Sequence, residues 1–393
     1  MKKVIPLILI LCFAFSSCSL PQNNKQPVVQ KNEYRKAVWI AYYELSEFTK
    51  GKSEYEFEQK INDEFSKLSS YGFNTVTVQI RPCADAFYLS EYFPSSVYFN
   101  GTRGGEMLYD PLEIMCSVAQ KYKLNIEAWI NPYRVSQDDD YTKLSSDNFA
   151  IKNKRMTKVV DGKIYFNPAY DKVTDLIVNG VKEIVENYNI SAIHFDDYFY
   201  PTQNKNFDKN EYKKYGGDLS LTDWRRKNVT NMVKRVYETI KAANKNIEFG
   251  ISPASNIEND KNNLYADIET WVKNKYVDYI CPQVYFGFKN VYQPFMFTVK
   301  KWVKLCENTD VDLYIGLALY KANTKDKYAA ENDKSIINEF RNNNDIIARQ
   351  ITYISKIDKI KGYYIFSFSQ LTSENAKEEV SNMLKVMQSN SQD

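Results

Sequence analysis

Three features of this 393-residue chain predict an α/β fold of the TIM (β/α)8 barrel type, in a single domain with long loops on its C-terminal face. From Arg35 onward, short apolar runs rich in β-formers alternate eight times with longer amphipathic ones, and no change of composition marks a second domain. The short runs are apolar throughout, as strands are when helices cover one face and a packed interior the other. Connections from helix to strand are brief, whereas several from strand to helix are long.

The strands are expected over residues 37–42, 75–80, 126–130, 192–195, 247–251, 277–281, 313–319 and 363–368. Each precedes a helical pattern. After the first strand, Phe57, Ile61, Phe65 and Leu68 recur on one helical face; after the third, Val173, Ile177, Val181, Ile184, Val185 and Tyr188 do; after the fourth, Val229, Val233, Val236 and Ile240. The returns at 71–74, 123–125 and 189–191 are tight, while 81–110, 131–169 and 197–221 all follow strands. That places the elaboration on the rim where barrels carry their ligands.

Strand parity then sorts the polar residues. Thr77, Gln79 and Arg81 share a face of the second strand; Glu127, Trp129 and Asn131 of the third; His194 and Asp196 of the fourth; Glu248, Gly250 and Ser252 of the fifth. A helix-covered face does not hold so many polar groups, so these faces are assigned to the barrel interior. There they pair with one another or with a ligand, because a buried unsatisfied polar group costs about 1–3 kcal/mol. Glu127 and His194 have two readings, site residues or a hydrogen-bond ladder beneath the site.

The ends of the chain bound where the protein acts. Residues 1–17 combine Lys2 and Lys3 with an apolar run too short for a membrane span and read as a secretory signal. The run closes on Phe15, Ser16, Ser17 and Cys18, which resembles a bacterial lipobox with Cys18 as the lipidated residue, although Phe15 replaces the usual aliphatic side chain. Residues 18–33 supply the lipidated cysteine and a polar, flexible tether, 34–388 the barrel, and 389–393 a disordered tail. The expectation is a secreted lipoprotein of the bacterial envelope, held to a membrane by its N-terminal lipid and facing the periplasm or the cell surface.

Fifty-two basic against forty-nine acidic residues leave a formal charge of +3, which creates no electrostatic demand for nucleic acid. Cys83, Cys116, Cys281 and Cys306 fall in no metal-ligand spacing and read as buried free thiols, and His194 is the single histidine. Neither a metal nor an organic cofactor is expected, and a polysaccharide deacetylase dependent on a His and Asp metal cluster is disfavoured. Composition leaves the oligomeric state open.

The segment SAIHFDDYFYP, residues 191–201, ends an apolar strand in Asp196 and Asp197 among aromatic rings. Carboxylates beside aromatic platforms suit sugar chemistry, in which acids work at the anomeric centre and rings pack on pyranose C–H faces. The same pair is also compatible with a helix cap or turn. Other strand ends add Arg81 with Asp85, Asn131 with Arg134, Ser252 with Asn256, Gln283 with Tyr285, and Ser367 with Ser369.

The ordered motifs VWIAYY, FNTVTVQIRPCADAFYLSEYFP, YDPLEIMCSVAQKYKLNIEAWINPYR, YFNPAY, AIHFDDYFYP, FGISP, YICPQVYF and GYYIFSFS resemble the glycosyl hydrolase-like 10 family of bacterial envelope proteins, from Arg35 to Leu371. The resemblance implies a TIM-barrel glycosidase acting on an envelope polysaccharide, with peptide-free peptidoglycan glycan strands as one candidate. It does not supply the acid pair of the large clan that uses Glu after strands four and seven, since strand four here ends in Asp and LYIGLALYKA contains no acid. Asp196 is therefore the first choice of catalytic carboxylate, with Asp85 or Asp197 as partner. Substrate contacts are assigned to Arg81, Asn131 and Gln283 by hydrogen bonding and to Tyr285, Trp39 and Tyr133 by stacking; Arg134 and Asn256 are weaker candidates. The rival reading is a carbohydrate-binding lipoprotein on a degenerate hydrolase barrel.

Overall fold

The computed structural model describes residues 33–389, so the signal, Cys18, the tether up to residue 32 and the tail beyond Ser389 lie outside the described residues. Eight parallel strands close into a barrel in chain order: β1 (Arg35–Ile40), β2 (Thr75–Arg81), β3 (Asn125–Ile130), β4 (Ala192–Phe195), β5 (Glu248–Ile251), β6 (Tyr279–Ile280), β7 (Asp312–Ala318) and β8 (Ile360–Phe366). One main helix follows each: α1 (Glu54–Ser70), α2 (Pro111–Lys121), α3 (Asp171–Asn187), α4 (Leu221–Ala243), α5 (Ile268–Lys273), α6 (Phe295–Cys306), α7 (Ile346–Ile354) and α8 (Lys377–Ser389). The expected TIM barrel is present.

Local sequence explains the helix starts. Ser53 and Glu56 form a capping box on α1, Asp110 caps α2 ahead of Pro111 at its first position, and Ser220 accepts the Asp223 N–H at the start of α4. The predicted apolar stripes face inward, with Phe57, Ile61, Phe65 and Leu68 of α1 all buried against the outer faces of the strands. β6 is shorter than its apolar run because Pro282, which has no N–H for a ladder, comes two residues after its last residue.

The barrel interior follows the predicted parity on β3, β4 and β5. Glu127 sits near the bottom, where its Oε1 accepts from Arg35 at 3.1 Å and the Tyr364 hydroxyl at 2.8 Å, and its Oε2 from Thr77 at 2.7 Å and the Tyr279 hydroxyl at 3.2 Å. Arg35 also pairs with Glu248. His194 stands one layer up. Its Nε2 accepts the Trp39 indole N–H at 3.3 Å and lies 3.0 Å from Ser252 Oγ, which leaves Nδ1 to donate to the Tyr279 hydroxyl at 2.8 Å. Burial, then the Arg35 charge, lower the His194 pKa to about 3, so the imidazole is neutral and a poor base. Glu127 and His194 thus form the ladder beneath the site. Gly250 is required here, because a Cβ would lie 1.9 Å from the Tyr279 ring.

Arg81 corrects the parity argument. A register shift between Gln79 and Arg81 inserts one extra residue opposite β3, and the alternation reverses across it. Arg81 consequently turns away from the barrel mouth into the helical layer, with its guanidinium 4.2 Å over the Phe93 ring and against Gly180 of α3. It is fully buried, and neither Nη1 nor Nη2 has a hydrogen-bond partner.

Residues 131–169, read from sequence as loop, contain a three-stranded antiparallel sheet of Arg134–Ser136, Lys163–Phe166 and Thr157–Val160. Its hairpin turns on Asp161 and Gly162, with φ of 48° and 72°. Two consecutive positive φ values make this the turn that Asp-Gly favours, and its twist matches that of the flanking strands. The four described cysteines are buried and free.

Candidate active site

A parallel strand releases its next residues at the open end of the barrel, and after β4 those residues are Asp196 and Asp197. Both line a cavity of about 340 Å³ at that mouth. Asp196 is the deeper acid. Its Oδ2 accepts the Trp129 indole N–H at 2.9 Å and an N–H of the Asn131 amide, and its Oδ1 accepts the Tyr198 backbone N–H at 3.2 Å. Asp197 is half-buried, and its Oδ1 accepts from Gln283 Nε2 at 3.2 Å.

The electrostatics set the pair apart from ordinary surface acids. Burial and then the Asp197 charge push Asp196 up to about 7, against the pull of Arg134 and the Trp129 N–H. Burial also raises Asp197, opposed by the Gln283 amide. Two carboxyl groups this close do not both ionise readily, so the pair retains a proton toward neutral pH. Behind them, Asp260 of the short helix Ile257–Asn263 is buried and driven up to about 9 by desolvation and by Asp197.

Asn131 is placed differently from its sequence assignment. It is buried and does not line the cavity; its Oδ1 accepts from Arg134 Nη2 at 2.9 Å and from Gln79, which orients its amino group onto Asp196. It is a positioning residue. Arg134, thought a weak candidate, lines the cavity with its Nε donating to the Pro82 carbonyl at 2.7 Å and its guanidinium 5.1 Å from the Tyr198 ring centre. Gln79 and Trp129, placed inside by parity but given no role, hold this same network.

The wall facing the acids is aromatic. In a ring of eight strands β8 stands opposite β4, and β8 ends in Phe366, flanked by Trp39 of β1 and by Tyr320 and Tyr285 after β7 and β6. Phe366 stacks on Tyr285 at 5.9 Å between centroids, meets Tyr320 edge-on at 5.9 Å and Trp39 at 6.0 Å. Trp39 and Tyr285 were named from sequence; Phe366 and Tyr320 were missed, because nothing distinguishes one aromatic from another in a chain with 31 Tyr and 22 Phe.

Four assignments are displaced. Asp85 is buried outside the cavity wall, facing the Ser96 hydroxyl and Val97 N–H, with burial raising it to about 6. Tyr133 is wholly buried in the core outside the barrel, and its carbonyl accepts the Phe166 N–H. Asn256 caps the helix Ile257–Asn263. Arg81 points away from the mouth for the reason of register given above. Among the described residues, no group of three or more His, Cys, Asp or Glu is arranged to hold a metal ion.

Known proteins are similar to this chain. Glycosyl hydrolase YngK of Bacillus subtilis (strain 168) is 34% identical over 365 residues, covering 87% of this chain and 69% of that protein. Glycosyl hydrolase DigH of Escherichia coli (strain K12) is 32% identical over 297 residues, covering 69% and 67% respectively. Among solved structures, the PgaB (BpsB) glycoside hydrolase domain from Bordetella bronchiseptica superposes with a TM-score of 0.58 over 90% of this chain and 98% of that one, at 9% identity, a likeness of fold alone. Residues 34–334 match the sequence model of the family described as Glycosyl hydrolase-like 10, and with relatives this similar the chain belongs to that family.

Proposed function

We propose that this protein hydrolyses O-glycosidic bonds in a cell-envelope polysaccharide, with peptide-free peptidoglycan glycan strands as the first substrate to test, and that it does so as a secreted lipoprotein anchored through Cys18. The observation that carries the reading is the pair Asp196 and Asp197 at the mouth of an open cavity whose remaining wall is lined by Trp39, Phe366, Tyr285 and Tyr320. Glycosidases need one carboxyl group protonated and a second ionised at the pH of the reaction, and mutual repulsion in a poorly solvated site arranges that. Aromatic rings opposite the acids give a pyranose its apolar platform. The family and the relatives named glycosyl hydrolases support the same class of reaction.

In this reading Asp196 and Asp197 are the catalytic residues, Gln283 aims Asp197 and offers its remaining amide atoms to sugar hydroxyls, and Trp39 and Tyr285 stack on the ring. Asp196→Asn and Asp197→Asn, each isosteric, should lower kcat/KM on the glycan by about 10³-fold or more while binding of the strand persists. The measurement is reducing-end release together with calorimetric titration of the strand. Wild-type protein that binds glycan strands and releases no reducing ends would establish the carbohydrate-binding lipoprotein instead.

A further inference from the structure

The two acids of this site both come from the end of β4 and so stand on one side of the cavity. Classical glycosidases place their two carboxyl groups on opposite sides of the anomeric carbon, about 5 Å apart for a covalent intermediate or about 6.5–9.5 Å apart when a water is activated between them. Asp196 and Asp197 are consecutive residues released from β4. Phe366, at the end of the strand four places away around the ring, heads an aromatic wall completed by Trp39 of β1, Tyr320 after β7 and Tyr285 after β6. Glu44 is the acid nearest in sequence to that side, and it is spent: its Oε1 accepts from the Ser367 hydroxyl and the Ser369 N–H, each at 2.7 Å, and its Oε2 from the Ala41 N–H at 2.7 Å. Asp85 and Asp260 are buried outside the cavity wall. Among the described residues that line the cavity, Asp196 and Asp197 are the only carboxylates, so none stands across it from them to act as nucleophile or as base for water.

We infer that the nucleophile is the substrate's own 2-acetamido group, so that the site takes β-linked 2-acetamido-2-deoxyhexosides and works by neighbouring-group participation. This rests on the hydrolase reading above and names its substrate class. In the first step the acetamido carbonyl oxygen bonds to the anomeric carbon as the glycosidic C–O bond breaks; the bond pair leaves with the departing oxygen, which takes a proton from Asp197. Asp196 holds the acetamido N–H and offsets the positive charge that develops on the oxazolinium ring. In the second step water adds to the anomeric carbon from the side the leaving group vacated and returns a proton to Asp197, and the ring C–O bond breaks to restore the acetamide with the β configuration retained.

The division of labour follows from the contacts. Asp196 receives three N–H donors, from Trp129, Asn131 and Tyr198, which favour its ionised form against the effect of burial; Asp197 accepts one side-chain donor, from Gln283, and is the more exposed to a leaving group. The aromatic wall serves the same chemistry. A participating acetamide must fold back beneath its own ring, and its methyl group then needs an apolar cup, which the packed edges of Trp39 and Phe366 beside Tyr285 provide.

The test uses the purified chain on peptide-free peptidoglycan strands, on the same strands after chemical N-deacetylation, and on a panel of glucans and mannans without acetamido groups. Expected are cleavage of the acetylated strands, β-anomer as the first product by NMR, a rate at least ~100-fold lower after deacetylation, and competitive inhibition by the thiazoline analogue of N-acetylglucosamine that Asp196→Asn weakens tenfold or more. Cleavage with the α-anomer first, equal rates on deacetylated strands or on the acetamido-free glycans, or a covalent glycosyl adduct on the protein by mass spectrometry would overturn the inference and leave the hydrolase reading standing. No cleavage of any glycan would overturn both.

Discussion

Arg134 is the residue through which the acid pair can be tuned without touching it. Its positive charge opposes the rise in the Asp196 pKa, and through Asn131 it also fixes the amide that donates to the same carboxylate. The two acids titrate as a pair, and Arg134 also holds down Asp197, the proposed proton donor, so activity falls as pH climbs through the step in which the pair gives up its last proton. Removing the cation strips a stabiliser of the ionised form, so the pKa moves further up and the alkaline limb moves with it. Arg134→Gln should therefore shift the alkaline limb of the kcat/KM profile upward by about one pH unit, with some loss of rate from a looser Asn131. A limb that stays put would mean that Arg134 does not act on the pair. His194 offers no comparable handle, because it is neutral, buried below the cavity and committed to Trp39, Ser252 and Tyr279.

The bulge near the end of β2 is the element that displaces Arg81 from the predicted site. Its single extra residue carries Arg81 from the mouth to the helical layer, where the guanidinium meets Phe93 and Gly180 and has two unpartnered nitrogens. A buried guanidinium whose terminal nitrogens lack hydrogen-bond partners costs stability without serving the site. Arg81→Met keeps the packing stem and discards that penalty, so thermal unfolding should show a gain of about 1 kcal/mol with kcat/KM unchanged; a tenfold fall in kcat/KM would restore Arg81 to the substrate. The sequence carried the strands, the helix stripes and the interior faces of β3, β4 and β5 because period-two and period-3.6 patterns record which side is buried. A bulge leaves no such record. The hairpin at Asp161 and Gly162 did leave one, an Asp-Gly pair between alternating runs, which the reading of residues 131–169 as loop passed over. The Asp196 and Asp197 pair was legible for its position at a strand end, whereas the facing aromatic wall depends on which strands stand four apart around the ring, and that becomes definite only once the barrel closes.

The molecule as a whole stores acids where water cannot stabilise them. Asp196 is held up to about 7 and Asp260 up to about 9, in both cases chiefly by burial, and Asp260 does not touch the cavity. Folding linkage gives the sign. A carboxyl group whose folded pKa lies above its unfolded value of about 4 binds its proton more tightly in the fold, so its contribution to stability is complete below pH 4. That contribution is lost as pH rises from about 4 toward the folded value, which for Asp260 is about 9. Asp260→Asn keeps the shape and abolishes the titration. The difference in unfolding temperature between this variant and the parent should be near zero at pH 4 and widen in the variant's favour up to about pH 9, reaching about 2 °C or more at pH 8. A difference that is flat with pH would show that Asp260 is not held protonated. Should the gain in stability come with a shift in the pH profile of the neighbouring Asp197, the buried acid is part of what keeps the catalytic pair protonated; should activity be unchanged at every pH, its cost to the fold is unrelated to the chemistry.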